Sequence, residues 1–341
     1  MRVTQQDIAK IARVSQATVS RVLAGDEKVE PTIRERVVEV MRKHNYQPDV
    51  RARSLRNRHT GLIGLVINRP IGGLANDPFF ANLVAEIMQY LEGKPFHLCL
   101  DMVTGTGGQQ AIYDEMLRTR RVDGLILVES EARDERIAQL QRDRFPFVLI
   151  GNPLTSIEIL SVDNDNVLAG EIATRHLIDA GCARVGFLGG RQGITVSDDR
   201  IFGYQRALRA TRAEHLIWHA GFGYDAARRA ALEILMGPDR PDGLVVLDDF
   251  MAMGAVLAAR SLGLRIPQEF AVVGFNDSSF CDVLECGLTS VGLNISAIVV
   301  AACTQLLAAI EGSESGLPCR VIVPCELKVR GSSRPRTEGV L

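Results

Sequence analysis

The sequence holds no apolar run approaching the roughly 20 residues that a membrane-spanning helix needs. Its opening Met1-Arg2-Val3-Thr4-Gln5-Gln6 carries no apolar signal core, so a cytoplasmic protein without a membrane partner is expected. The seven cysteines (Cys99, Cys182, Cys281, Cys286, Cys303, Cys319 and Cys325) are odd in number, scattered and free of any CxxC pair. That pattern argues against both a disulfide framework and a structural zinc. Neither GxSxG nor HExxH occurs, which leaves no nucleophile elbow and no zincin helix. The glycine-rich stretch Gly186 to Gly193 follows an apolar strand but lacks the GxxxxGK[ST] and dinucleotide spacings, so it reads as a strand-to-loop corner. Asp163, Asp165, Asp248 and Asp249 have no His or Cys at ligand spacing. No catalytic set, no metal site and no cofactor are therefore expected.

What is present suggests a multi-domain globular protein. The chain has 341 residues, enough for two or three domains, and 46% of them are hydrophobic, enough to fill sizeable cores. The net charge of -2 conceals a division. Residues 1–60 hold 13 Lys/Arg against 7 Asp/Glu, whereas the remainder holds 26 against 34. The basic end is the one suited to a polyanion.

Within that end lies Thr4 to Leu23, TQQDIAKIARVSQATVSRVL. Thr4 and Asp7 form a capping-box pattern, and Ile8, Ile11 and Ala12 recur at helical spacing. Ser15 caps a second helix whose inward face is Val19, Val22 and Leu23. Gln16, Ala17, Thr18, Ser20 and Arg21 stay on the outside of its first two turns, where a recognition helix needs polar groups to reach base edges and phosphates. Pro31 opens a third helix with the apolar stripe Ile33, Val37, Val40 and Met41; Asn45 is suited to its left-handed cap and Pro48 prevents continuation.

The residues Asp7-Ile8-Ala9, Ala12, Val14-Ser15 and Thr18-Val19-Ser20-Arg21-Val22-Leu23 resemble the N-terminal signature of the LacI/GalR family of bacterial transcription regulators, and the similarity extends along nearly the whole chain. Two positions depart from the family pattern: Arg13 stands where the turn usually has Gly, and Glu30 where the third helix usually has a Ser-type cap. The resemblance implies an all-α helix-turn-helix headpiece at 1–48, a hinge helix at 49–60, and an α/β core of two Rossmann-like, periplasmic-binding-protein-like lobes at 61–331. The N-lobe would take about 61–162 and 293–323, the C-lobe about 163–292 and 324–331, followed by a tail at 332–341. It also implies DNA contacts from Thr4, Ser15, Gln16, Ala17, Thr18, Ser20 and Arg21, with Arg21 the best base reader. In the hinge, Arg51, Ala52, Ser54 and Leu55 would meet the duplex, Leu55 as a wedge in the minor groove.

From Leu62 onward the pattern changes to short apolar strands alternating with amphipathic helices, the signature of parallel sheets with helices on both faces. Ligands of such sheets bind beyond the carboxyl ends of the strands. That rule alone selects Phe79-Phe80, Glu129-Ser130, Arg200, Asp248-Asp249 and Asn276-Asp277. Of these, Phe79, Phe80, Glu129, Arg200, Asp248 and Asn276 are taken as effector contacts, and the resemblance to the family's effector pocket adds Phe222. An aromatic face, a cation and several hydrogen-bonding groups suit a small polar ring such as a sugar. Blander roles compete: a Phe at a helix start is often core, and Asp248 could simply cap the following helix. Many relatives carry Asp where this chain carries Asn276.

The expected function is a sequence-specific repressor on double-stranded DNA, with a pseudopalindromic operator and a small-molecule effector, a sugar or sugar derivative, between the lobes. Alternatives are the same regulator with a nucleobase or nucleoside effector, or a sugar-binding protein without a regulatory role. The end of the chain lacks the leucine heptads that build tetramers, so a homodimer is expected.

Overall fold

Thr4 and Asp7 do close a capping box on the first helix, α1 (Gln5–Ile11). The Thr4 hydroxyl accepts from the Asp7 N–H at 3.3 Å and the Asp7 carboxylate accepts from the Thr4 N–H at 2.9 Å. With α2 (Gln16–Leu23) and α3 (Pro31–Lys43), α1 buries Ile8, Ala12, Val19, Val22, Val29 and Val37 in a core of its own. The computed structural model describes residues 3–23, 26, 28–44, 46, 59–67, 78–102, 108–131, 134–154, 159–209 and 213–334. It divides into two compact units, Met1–Gly61 and Leu62–Leu341. Asn45 and the hinge residues Arg51, Ala52, Ser54 and Leu55 lie outside the described residues.

The turn after α1 explains its departure from the family pattern. Arg13 has φ +54°, in the left-handed region, and the Val14 N–H reaches back to the Ala9 carbonyl at 3.0 Å while the Arg13 N–H reaches Lys10 at 3.2 Å. This is a Schellman closure, which normally employs glycine at that position. At α3 the Glu30 side chain makes no cap bond to the backbone; its carboxylate instead accepts from the Thr32 hydroxyl at 2.7 Å.

The second unit contains two six-stranded sheets. One is wholly parallel: β1 (Leu62–Ile67), β2 (His97–Met102), β3 (Gly124–Val128), β4 (Phe147–Ile150), β5 (Ser161–Asn164) and β11 (Arg320–Val323), in the order β11-β5-β4-β3-β1-β2. The other comprises β6 (Val185–Gly189), β7 (Leu216–His219), β8 (Gly243–Val246), β9 (Ala271–Phe275), β10 (Thr289–Gly292) and β12 (Glu326–Lys328). Its order is β12-β10-β9-β8-β6-β7, with β12 antiparallel. The central strands β3, β4, β8 and β9 are buried along their whole length, as expected where helices cover both faces. The edge strands β11 and β12 carry exposed charges, Arg320, Glu326 and Lys328, which discourage pairing with another chain.

Helices α4 (Pro78–Leu91) and α11 (Ile295–Glu311) cover one face of the first sheet, and α5 (Gly108–Thr119) and α6 (Glu135–Arg142) the other. On the second sheet, α7 (Asn166–Asp179) and α8 (Thr195–Leu208) lie opposite α9 (Tyr224–Met236) and α10 (Asp249–Ser261). The chain passes between the lobes three times: after Asn164, between Gly292 and Ile295, and between Val323 and Glu326. The buried Asn164 amide ties the crossings together, donating to the carbonyls of Leu293 at 3.0 Å and Val323 at 2.8 Å.

Two expectations shift. The C-lobe does not stop at 331: Ser332 and Ser333 are fully buried, and the Ser332 hydroxyl donates to the Val272 carbonyl at 2.7 Å while accepting from the Thr289 N–H at 2.9 Å. Short hydroxyl side chains read as tail in sequence, yet here they satisfy backbone groups beside β9 and β10. Secondly, Arg200, selected as a residue beyond a strand end, stands in the second turn of α8, because the run Thr195-Val196-Ser197-Asp198 is already helical.

Replacing Arg13 by glycine removes the steric cost of the left-handed residue. Arg13→Gly is expected to stabilise the headpiece by about 1 kcal/mol, read as slower hydrogen exchange at the buried amides of Ile8 and Val22. Unchanged or faster exchange there would contradict the strain.

Candidate functional sites

On α2, Gln16, Ala17 and Arg21 are exposed, whereas Thr18 and Ser20 are half-buried. Ser15 performs the cap: its hydroxyl accepts from the Thr18 N–H at 3.0 Å and lies 2.8 Å from the Thr18 hydroxyl. Thr4 is likewise exposed but engaged with Asp7. The exposed long polar side chains of the helix are thus Gln16 in its first turn and Arg21 in its last, with Ala17 exposed between them. That geometry suits hydrogen bonding to base edges in a major groove.

The second site is a cavity at the carboxyl ends of both sheets. Phe79, Glu129, Arg200, Phe222, Asp248 and Asn276 all line it. Phe80 does not: it is 1% exposed and sits in the N-lobe core, with its ring edge-to-face against Phe79 at 5.4 Å between centroids. Successive residues of a helix point about 100° apart, so only one of the pair can face the cleft. Glu129 and Asn276 follow β3 and β9 directly, and Asp248 follows β8 after Leu247. Asp248 caps α10, its Oδ1 accepting from the Met251 N–H at 2.7 Å, and it also borders the cavity. Glu129 and Asn276 adopt φ of +57° and +105°, backbone strain of the kind that accumulates at ligand sites.

Sequence reasoning missed Asp163, Asn164, Asn166 and Thr195 as cavity residues. Asp163 and Asn164 end β5, and Asn166 and Thr195 open α7 and α8, so only the packing of these elements brings the four together.

Arg200 is the buried cation of this cavity, 4% exposed. Its Nε donates to Asn166 Oδ1 at 3.0 Å, its Nη1 to the Leu247 carbonyl at 2.6 Å, and its guanidinium lies 4.2 Å from the Phe275 ring centre. Burial lowers its pKa to about 10, against the opposing pull of Asp163, Asp248 and Asp249, so it stays charged at neutral pH. Two glycines place it there. A Cβ on Gly170 would fall 2.1 Å from the Arg200 carbonyl and one on Gly203 2.0 Å from that of Val167, so only glycine lets α7 and α8 cross this closely. Tyr204 fixes the other end of α8, its hydroxyl donating to Val185 and accepting from the Leu216 N–H, each at 2.9 Å.

Across the cleft mouth the lobes also touch directly. The Ser130 and Thr195 hydroxyls lie 2.9 Å apart, Asn152 donates to Asp199 at 3.0 Å, and Arg191 pairs with Glu131 at 2.7 Å. Among the described residues, no cluster of three or more His, Cys, Asp and Glu could hold a metal ion, and no helix is long and apolar enough to cross a membrane.

A helix-turn-helix unit followed by two parallel-sheet lobes around a polar cleft defines a class of ligand-responsive DNA-binding proteins. Comparison with known proteins is specific. Residues 4–49 match the family described as bacterial regulatory proteins, lacI family, and residues 174–333 match a periplasmic binding protein-like domain. The chain is 31% identical over 294 residues to the ribose operon repressor of Haemophilus influenzae, covering 84% of this chain and 86% of that one. It is 31% identical over 337 residues to the HTH-type transcriptional regulator CelR of Thermobifida fusca, covering 97% and 98%. A crystal structure of the lac repressor dimer bound to operator and the anti-inducer ONPF superposes with a TM-score of 0.86 over 98% of this chain and 100% of that one, at 22% identity. The chain belongs to the lacI family of bacterial regulatory proteins, which are DNA-binding transcription regulators and not enzymes.

Burial raises the carboxyls of Asp163 and Asp249 from 3.8 to about 6. The folded chain therefore holds these protons more tightly than the unfolded chain, and stability falls as pH rises from about 4 to about 6. Asp249→Asn keeps an acceptor for the Ser278 N–H, now 2.8 Å from Asp249 Oδ2. It is expected to remove part of that fall, on the order of 1 to 3 kcal/mol, in urea unfolding followed across the same pH range. A variant with the native pH slope would refute the assignment.

Proposed function

We propose that this chain is a cytoplasmic homodimeric repressor whose operator affinity is set by a sugar bound in the cavity between its lobes. The observation that carries the reading is the cavity itself. Phe79 and Phe222 supply two aromatic faces, and Arg200, Asp163, Asp248 and Asn276 supply donors and acceptors around the same space. A sugar ring offers apolar C–H faces and a belt of hydroxyls, so it answers both kinds of group at once. The names of some similar proteins support the reading: a ribose operon repressor, a probable maltose operon transcriptional repressor and a complex of CelR with cellobiose.

In this reading residues 1–48 are the headpiece, 49–60 the hinge, and two headpieces dock on the half-sites of a pseudopalindromic operator. Arg21 and Gln16 read base edges, with Ala17 in apolar contact, and Thr4, Ser15, Thr18 and Ser20 hold phosphates. Arg51, Ala52, Ser54 and Leu55 engage the minor groove beside the operator centre. The sugar shifts operator affinity through its different affinity for the two lobe arrangements. The contacts across the cleft mouth, Ser130 with Thr195 and Asn152 with Asp199, are the ones such a rearrangement would break or form.

Selection of bound duplexes from a random pool by the full-length protein, followed by affinity measurement with and without sugars, tests this. A palindromic consensus whose affinity changes at least about tenfold with one sugar is expected, a coupling of roughly 1.4 kcal/mol. Duplexes bound without sequence preference would overturn the regulator's operator mode, and indifference to every sugar would overturn the effector. Arg21→Ala is expected to weaken the selected duplex by roughly 1 to 3 kcal/mol while leaving random duplex nearly unaffected; an equal loss on both would remove it as a base reader. Arg200→Lys keeps the charge but not the fork, and is expected to abolish the sugar response without loss of operator binding. A variant with native sugar response would exclude Arg200 from the sensor.

A further inference from the structure

The cavity holds one donor and one acceptor that its own internal bonds leave unused. Arg200 spends Nε on Asn166 and Nη1 on Leu247, and Nη2 has no hydrogen-bond partner among the described residues. Asp163 spends Oδ1 twice, accepting from the Asn164 N–H at 2.8 Å and from Asn166 Nδ2 at 2.9 Å, and Oδ2 has no partner among the described residues. Asn166 is the clamp between them, because its amide oxygen receives Arg200 and its amide nitrogen donates to Asp163. Asn166 is itself 4% exposed, so neither end of this three-residue chain is free to swing. The cation and the carboxylate are thus held side by side yet make no ion pair with each other, each presenting one unsatisfied position.

The charges around this pair are unequal. Among the described residues that line the cavity, Arg200 is the single cation, against the carboxyls of Glu129, Asp163 and Asp248. A hydroxyl both accepts and donates, so it can satisfy Arg200 Nη2 and Asp163 Oδ2 together. The phosphate or carboxylate group of a charged derivative offers acceptors only at this position and adds negative charge facing the three carboxyls.

We propose that Asp163, clamped by Asn166 beside Arg200, is a specificity-determining residue that admits an uncharged, hydroxyl-bearing effector and rejects its phosphorylated or carboxylate derivative. This deepens the sugar reading of the same cavity and rests on it for the choice of ligand class. Asp163 contributes by what it refuses as well as by what it binds: its second oxygen can accept a hydrogen bond from a hydroxyl but offers a phosphate only repulsion. Arg200 alone would favour an anion, and the neighbouring carboxyl reverses that preference.

The test pairs each neutral compound with its charged derivative on the full-length protein: ribose with ribose 5-phosphate, glucose with glucose 6-phosphate, cellobiose with cellobionate, and adenosine with AMP. Binding is read by calorimetry. At least one neutral member is expected to bind, with its charged partner at least about tenfold weaker. Asp163→Asn is nearly isosteric and replaces the free carboxylate oxygen with a neutral amide. It should weaken the neutral compound and narrow its advantage over the charged partner by about fivefold or more.

A charged derivative binding as tightly as its parent would overturn the proposal and leave the sugar reading standing. Adenosine binding to the exclusion of every sugar, with AMP rejected, would uphold the selection against charge and overturn the sugar reading. No binding by any member would overturn both. If Asp163→Asn fails to fold, the paired measurements on the native chain still decide the outcome.

Discussion

The Arg200 guanidinium has been taken out of water inside the second unit, and the elements around the cavity are arranged to hold it. The Arg200 guanidinium meets the Asn166 amide, the Leu247 carbonyl and the face of Phe275, three partners from α7, from the end of β8 and from the end of β9. A buried cation without such partners would be strongly destabilising, so these elements are fixed relative to one another by the cost of leaving it unsatisfied. The glycine crossing of α7 and α8 follows from the same requirement. Without Gly170 and Gly203 the two helices could not approach closely enough for Asn166 to reach Arg200.

The lobes are joined by a different device. Three chain crossings run side by side, and Asn164 bonds the carbonyls of the other two from the first. A side-chain amide spanning three strands makes the crossings behave as one joint. The lobes also meet at the rim of the cleft mouth, where the Ser130 and Thr195 pair is buried and the Arg191 and Glu131 pair is exposed. Loss or gain of such exposed pairs costs little, so the rim is where a ligand worth a few kcal/mol could tip the balance. The site therefore lies between a tied edge and a loosely held one, a placement suited to converting ligand contact into lobe movement.

The headpiece follows local rules more closely. Its capping box, its Ser15 cap and its apolar stripes all act within a few residues of one another, and all were legible in the sequence. The same holds for β1, β3, β4, β6, β8 and β9, whose continuous apolar runs mark strands buried on both faces. The long helix α11 escaped such reading. Its run Ile295-Ser296-Ala297-Ile298-Val299-Val300-Ala301-Ala302 is apolar nearly all round, so it shows no amphipathic period, being packed between α4 and the first sheet. Phe79 and Phe80 illustrate a finer limit: composition marks the pair as aromatic, but only the rotation of α4 decides which ring faces the cleft.

The sequence by itself determined the helix-turn-helix, the alternation of strands and helices, and the cleft ends of β3, β8 and β9, because each depends on the period of side chains along a short segment. Tertiary structure alone decided that Asp163, Asn164, Asn166 and Thr195 join the cavity, that Ser332 and Ser333 belong to the C-lobe core, and that Arg200 and Asp163 share a clamp. Those facts join residues from different strands, helices and crossings. No periodicity along the chain records which of two polar residues will be brought together when separate lobes close on one space.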